Sequence, residues 1–247
     1  MSDKKRKLNL YNKCLILCGV IAGLFFTISW IIQGAFREGY NPVMAPVSSL
    51  SIGPVGWIQV ATFLITGVLI VFFAYGLLKI TKEEKEVDDV EKEVIKEEVE
   101  EEEIVKEEKN NGIPIWGPIL LLVCGIGLIG AGCFTTDTTT GYSEAKAIVK
   151  DNPSFSGPIH KFFAGFLFFG LPLATFIFGN YFSSKNKKNW MIYSFLTGIL
   201  FLIMFFITML GYLIFDGFRF YSGLFQRITL SIGALWLILI SIYFLKE

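Results

Sequence analysis

Six stretches without a single charged residue constrain this chain more than any other feature: 14–32, 57–78, 113–133, 162–182, 190–214 and 228–245. All 22 acidic and 22 basic residues lie outside them. A helix needs about 20 apolar residues to cross about 30 Å of hydrocarbon, and each run reaches or approaches that length. The other spanning architecture, a closed barrel, shows alternating segments of about 10 residues. These runs are longer and apolar on every face. The expectation is therefore an all-α polytopic membrane bundle of six transmembrane helices, forming one domain over residues 1–247, with each helix satisfying its own backbone hydrogen bonds as lipid demands. Hydrophobic residues make up 53% of the chain and charged residues 18%, against about 25% charged in an ordinary soluble domain. That balance excludes a soluble globular fold and leaves no broad basic face for nucleic acid.

Lysine and arginine placement orients the spans. Lys4, Lys5, Arg6, Lys7 and Lys13 precede the first, Lys185, Lys187 and Lys188 lie between the fourth and fifth, and Lys246 follows the sixth. With an even number of spans these segments share one side, and both termini are expected in the cytoplasm of a prokaryotic cell, the bundle lying in its plasma membrane. The first apolar run exceeds the roughly 7–15 residues of a signal-peptide core, and Gln33-Gly34-Ala35 is a poor cleavage site, so the run reads as a retained anchor.

The charges concentrate in one insert. Residues 81–111 hold 15 of the 22 acids but 6 of the 22 bases, a local net of −9, without Pro or Gly. Val87, Val90 and Val94 recur at helical spacing, and the pairs Asp88/Lys92 and Glu102/Lys106 support a helix weakly. The insert reads either as a solvated, partly helical or disordered loop or as a docking tail for a basic cytoplasmic partner.

Cys14, Cys18, Cys124 and Cys133 form no C-x-x-C pair, and His160 is the sole histidine. These residues point to no disulfide framework, no zinc site and no bis-histidine haem; no metal and no cofactor is expected. Gly19 with Gly23, and Gly125, Gly127, Gly130 and Gly132, are small residues that let membrane helices approach closely, either inside the bundle or at a homodimer face.

The side opposite the termini carries the candidate chemistry. Its first segment, 33–56, contains three prolines, Arg37, and the serines Ser48, Ser49 and Ser51, placed to cap or pack before the next helix. Without a G-x-S-x-G elbow or a neighbouring base, a serine nucleophile lacks support. The second segment places Asp137 just after span three and His160 just before span four, with a short interfacial helix expected over 142–150. The third, 215–227, contains Asp216 and ends at Arg227, which opens span six. Arg227 is either a snorkelling anchor, a partner for Asp137, or a fork for a headgroup phosphate.

Pro46-Val47-Ser48-Ser49-Leu50 with Gly56-Trp57-Ile58-Gln59, Phe134 with Asp137, Gly157-Pro158-Ile159-His160 and Gly223-Leu224-Phe225-Gln226-Arg227 stand in an order that resembles the prokaryotic domain-of-unknown-function family 998. The resemblance implies six spans and marks Ser48, Ser49, Gln59, Asp137, His160, Gln226 and Arg227 as signature positions. It implies no reaction, and the acidic insert departs from it.

Two function classes follow. In the first, a polar outer pocket binds a membrane lipid or small amphiphile through Arg37, Ser48, Ser49, Gln59, Gln226 and Arg227. In the second, a membrane-embedded enzyme uses His160 as general base and Asp137 as its orienting partner on a lipid-like substrate. A scaffold that tethers a partner through the acidic insert is a third reading. In each of the first two, Asp137, His160, Arg227 and the Ser48–Ser49 turn are expected to share one pocket.

Overall fold

The fold is known from a computed structural model, which describes residues 8–98, 112–137, 141–142, 154–213 and 220–246. Six α-helices account for nearly all of them: α1 Leu10–Phe36, α2 Trp57–Glu98, α3 Trp116–Cys133, α4 Ser156–Ser184, α5 Lys188–Leu213 and α6 Ser222–Lys246. Each contains a segment long and apolar enough to cross a membrane. The helices pack in sequence order, each against the next, and α6 closes the ring against α1. Phe26, Phe73, Leu121, Leu128, Phe178, Phe201 and Trp236 belong to one continuous apolar core between them.

Helix ends differ from the apolar runs in a way that matters. The fourth and sixth helices begin at Ser156 and Ser222, about six residues before the charge-free stretches at 162 and 228. Helical hydrogen bonding propagates past the last apolar residue until a breaker or cap stops it. His160 and Arg227 therefore project from the second turns of α4 and α6 rather than standing just outside them. In the second helix the same rule has a larger effect. No Gly or Pro occurs between Leu77 and Asn111, so α2 runs unbroken through its span and into the acidic insert as far as Glu98. Residues 99–111 lie outside the described residues, as do 143–150, where an interfacial helix was expected, and 214–219.

The glycines pack within the bundle. A Cβ on Gly67 would stand 2.6 Å from the carbonyl oxygen of Gly125, and one on Gly125 would stand 2.8 Å from that of Gly67, so α2 and α3 touch backbone to backbone. Gly127 and Gly130 abut Phe163 of α4, Gly132 abuts Phe63 and Leu64 of α2, and Gly19 and Gly23 of α1 face Ser241 and Ile238 of α6. All four cysteines are free thiols.

The up-down path puts the α1–α2, α3–α4 and α5–α6 connections at the end opposite the chain termini, here termed the distal end. The first connection folds back on the bundle. Its 3-10 helix Val47–Ser51 packs on α1, α2 and α6, and Tyr40, Ala45, Val47, Leu50 and Ile52 are buried. Among the described residues an antiparallel bridge, Tyr40 with Tyr142, joins it to the second connection, with the two rings edge to face at 5.5 Å.

Candidate functional site

The short motifs at the distal end are docking geometry first. In Gly223-Leu224-Phe225-Gln226-Arg227, a Cβ on Gly223 would collide with the backbone of Pro42, Met44 and Ala45, so only glycine lets the first connection lie on α6. The Leu224 amide donates to the Val43 carbonyl at 2.9 Å, and the Val47 amide donates to Gln226 Oε1 at 2.8 Å. Arg227 Nη1 donates to the carbonyls of Pro42, Ala45 and Gly223, and its Nη2 donates to the Tyr40 hydroxyl. Arg37 does the same from α1's end: its guanidinium donates to the carbonyls of Leu50 at 3.0 Å, Ile52 at 3.2 Å and Val55 at 3.3 Å, and to the Tyr142 hydroxyl. Two arginines thus pin residues 40–55 over the helices through backbone carbonyls, among them those of Pro42 and Ile52.

The segment around His160 follows the same logic. Asp137 Oδ1 accepts the Ser154 amide at 3.0 Å, and Ser154 Oγ accepts the Gly157 amide at 3.0 Å. The Asp137 carboxylate occupies the place a Cβ on Gly157 would need. A carboxylate at a helix N-terminus meets unpaired amides and the positive end of the dipole, and Pro158 costs nothing in a first turn. His160, one turn on, brings Nδ1 within 2.9 Å of the Ala131 carbonyl and 2.8 Å of the Phe134 carbonyl, at the C-terminal end of α3. Both partners are acceptors, so Nδ1 carries the proton and Nε2 is left as an acceptor. Replacing Asp137 with alanine is expected to cost about 1 kcal/mol, a fall of roughly 2–4 °C in melting midpoint, measurable by differential scanning fluorimetry.

Beneath the pinned connection lies a cleft of about 860 Å³. Its polar lining is Ser48, Thr136, His160, Lys161 and Gln226, all at the distal end. The remainder is apolar or small, with Phe26, Phe63, Leu128, Leu167 and Phe168 behind and Phe205, Phe206, Met209 and Leu210 along α5. Phe169, Phe206 and Leu210, which line it, are also exposed on the bundle's outside at 51%, 54% and 43%. The cleft therefore opens sideways between α4 and α5, onto the surface a membrane would cover. Gly165 faces that opening: a Cβ there would meet nothing within 4 Å.

Of the residues singled out from sequence, Ser48, His160 and Gln226 line the cleft; Asp137, Arg37, Ser49, Gln59 and Arg227 do not. No hydrogen bond joins Asp137 to His160, and Asp137 and Arg227 form no ion pair, because each is already held by backbone groups. The serines do not cap α2; Ser48, Ser49 and Ser51 make a turn of their own, with Ser51 Oγ donating to the Ser48 carbonyl at 2.7 Å. Gln59 is fully buried against α1, where its Oε1 accepts from Gln33 Nε2 at 2.9 Å. Sequence reasoning missed Tyr40, Tyr142, Lys161 and Gly165. Only Lys161 carried a signal, as a cation at the head of an apolar run; the tyrosine pair is about 100 residues apart and has none.

A family model described as "Protein of unknown function (DUF998)" matches residues 20–86 and 104–243. No curated protein and no solved structure matches the chain.

Proposed function

We propose that this chain, which belongs to the DUF998 family, holds a lipid or small amphiphile in the cleft between α4 and α5. The observation that carries the reading is the cleft's polarity: one long apolar wall open to the lipid-facing surface, with its hydroxyl, imidazole, amide and ammonium groups gathered at one end. Small-molecule sites typically enclose about 300–1,000 Å³ with a few convergent polar groups, and an amphiphile has that same two-part shape. The apolar tail lies along Phe168, Phe205 and Leu210, and the polar head meets Ser48, Gln226 and Lys161. His160 Nε2 accepts a hydrogen bond from a head-group hydroxyl. Lysine and arginine placement puts the termini in the cytoplasm, so the cleft opens toward the outer leaflet of the plasma membrane. The acidic helix beyond Glu83 then projects into the cytoplasm, where its charge favours a basic partner.

The enzymatic alternative has His160 at the cleft in its favour, but its base lacks the orienting carboxylate: Nδ1 is held by two carbonyls and Asp137 by an amide.

The test is Gly165→Trp. A Cβ there meets nothing within 4 Å and the position lines the cleft, so the indole is expected to occupy cleft space, with the melting midpoint within about 2 °C of wild type. Binding of a fluorescent acyl probe such as parinaric acid should weaken at least tenfold, on the order of 1.4 kcal/mol. Equal binding by both proteins would defeat the proposal.

A further inference from the structure

Arg227 is 6% exposed, yet each of its hydrogen-bond partners is formally neutral: three carbonyls and the Tyr40 hydroxyl. Among the described residues, no carboxylate pairs with it. Buried charges are ordinarily paired, because desolvating them alone is costly. Tyr40 does not supply the missing charge. Its hydroxyl donates to the Pro46 carbonyl at 2.9 Å, and burial pushes the phenol above its ordinary range against the pull of Arg227. The rings of Trp30 and Tyr40, each centred 5.5 Å from the guanidinium carbon, add quadrupole attraction but no anion.

Two buried donors in this corner are unused: Arg227 Nε–H and Trp30 Nε1–H have no hydrogen-bond partner. Five other buried side-chain atoms among the described residues also lack a partner, but here two donors belong to one corner and one of them to a buried cation, which calls for a specific explanation. With Nη2, the Nε–H completes the planar fork by which a guanidinium takes two oxygens at once. A Cβ on Gly34 would sit in ordinary contact with the Tyr40 ring at 3.6 Å, Arg227 Nη2 at 3.9 Å and Pro42 at 3.9 Å, so a gap of about one methyl group lies beside the guanidinium. Gly34 stands one turn from Trp30 on the same face of α1.

We infer that Arg227, Trp30 and the gap at Gly34 form an oxyanion-binding site under the first distal connection, separate from the lateral cleft. The site takes an oxygen of a phosphate or carboxylate group, which accepts from Arg227 Nε–H and Trp30 Nε1–H and neutralises the guanidinium. The same chemistry is offered by free inorganic phosphate and by the head group of an anionic lipid. Binding there also fastens the connection, since Arg227 is the residue that pins it.

The experiment is the melting midpoint of the purified full-length protein in phosphatidylcholine vesicles. It is read in chloride, in inorganic phosphate at matched ionic strength, and in vesicles containing phosphatidate. Wild type should gain roughly 5–10 °C at a ligand concentration about 100 times Kd. A gain in free phosphate identifies the ion as sufficient; a gain with phosphatidate alone identifies the lipid head group. Gly34→Ala fills the gap without a clash and should melt near wild type in chloride while losing the gain. Trp30→Phe keeps a ring but not the donor and should lose part of it. No gain in wild type with either phosphate source overturns the inference, and so does an equal gain in Gly34→Ala.

Discussion

Replacing Arg227 with leucine is expected to lower the melting midpoint by roughly 6–12 °C, equivalent to about 3 kcal/mol, and to expose residues 40–55 to protease. The leucine conserves apolar volume but donates nothing. The Pro42 and Ala45 carbonyls and the Tyr40 hydroxyl each lose a donor at once. A buried acceptor left without a partner costs about 1–3 kcal/mol, and the chain escapes that cost by lifting the connection into water. The loss is therefore bounded by the free energy of undocking the segment, and the Ala45 carbonyl still accepts from the Tyr40 hydroxyl at 3.2 Å, so the three lost donors do not sum to three full penalties. Lifting it also uncovers Leu50 and Val47, both buried in the core. Limited proteolysis of the variant and wild type in the same detergent provides the check. Cleavage within 40–55 at the wild-type rate would show that Arg37 and Gln226 suffice to hold the segment. Arg37→Leu should act in the same direction but less, because Arg37 is only half-buried and water reaches its carbonyls more easily.

Gly125→Val is the second large effect, a loss of about 3 kcal/mol with a fall of roughly 6–12 °C. The first side-chain carbon would sit 2.8 Å from the Gly67 carbonyl oxygen and 3.1 Å from the Val71 amide nitrogen, both backbone atoms. Backbone does not rotate out of the way as a side-chain tip does, so α2 and α3 must separate. Separation breaks contacts along the whole interface and not at one residue. Association of helices in lipid rests on close packing, not on expulsion of water, so nothing else offsets the lost contact. Gly125→Ala should cost less but keep the sign. Thermal unfolding of both variants, with oligomeric state measured alongside, tests this directly. A variant that melts like wild type but changes oligomeric state would place Gly125 at a surface between copies and not between α2 and α3.

These expectations bear on the function in different ways. Gly125 holds the ring of helices in which the cleft exists, Arg227 holds its roof, and Gly165 leaves its mouth open. Only the last can be filled without moving another atom. A glycine in a helix costs about 1 kcal/mol relative to alanine. Gly165 carries that cost without the close contact that explains Gly125 or Gly223.

What the chain's sequence determined by itself was the membrane architecture. A charge-free run of about 20 residues has one low-energy form in hydrocarbon, and that requirement is local, so all six helices were legible from 14–32 to 228–245. The continuation of α2 was half legible: the absence of Gly and Pro after Leu77 allowed a helix, but the run of charges read equally well as a disordered loop. The special character of the distal motifs was legible, but their meaning was not. Gly223, Gln226 and Arg227 stood out as a cluster, yet what they touch is Pro42, Ala45 and Val47, some 180 residues earlier, and no spacing rule connects such partners. Asp137, His160 and Arg227 were expected at one depth. Depth does not settle direction around a ring of six helices, however, and the tertiary structure turned Asp137 toward Ser154, His160 toward α3 and the cleft, and Arg227 toward the first connection. The cleft itself belongs to the tertiary structure alone, because an opening between α4 and α5 depends on where two helices that touch at Phe168 and Phe205 part from each other, and each face by itself reads as an ordinary span.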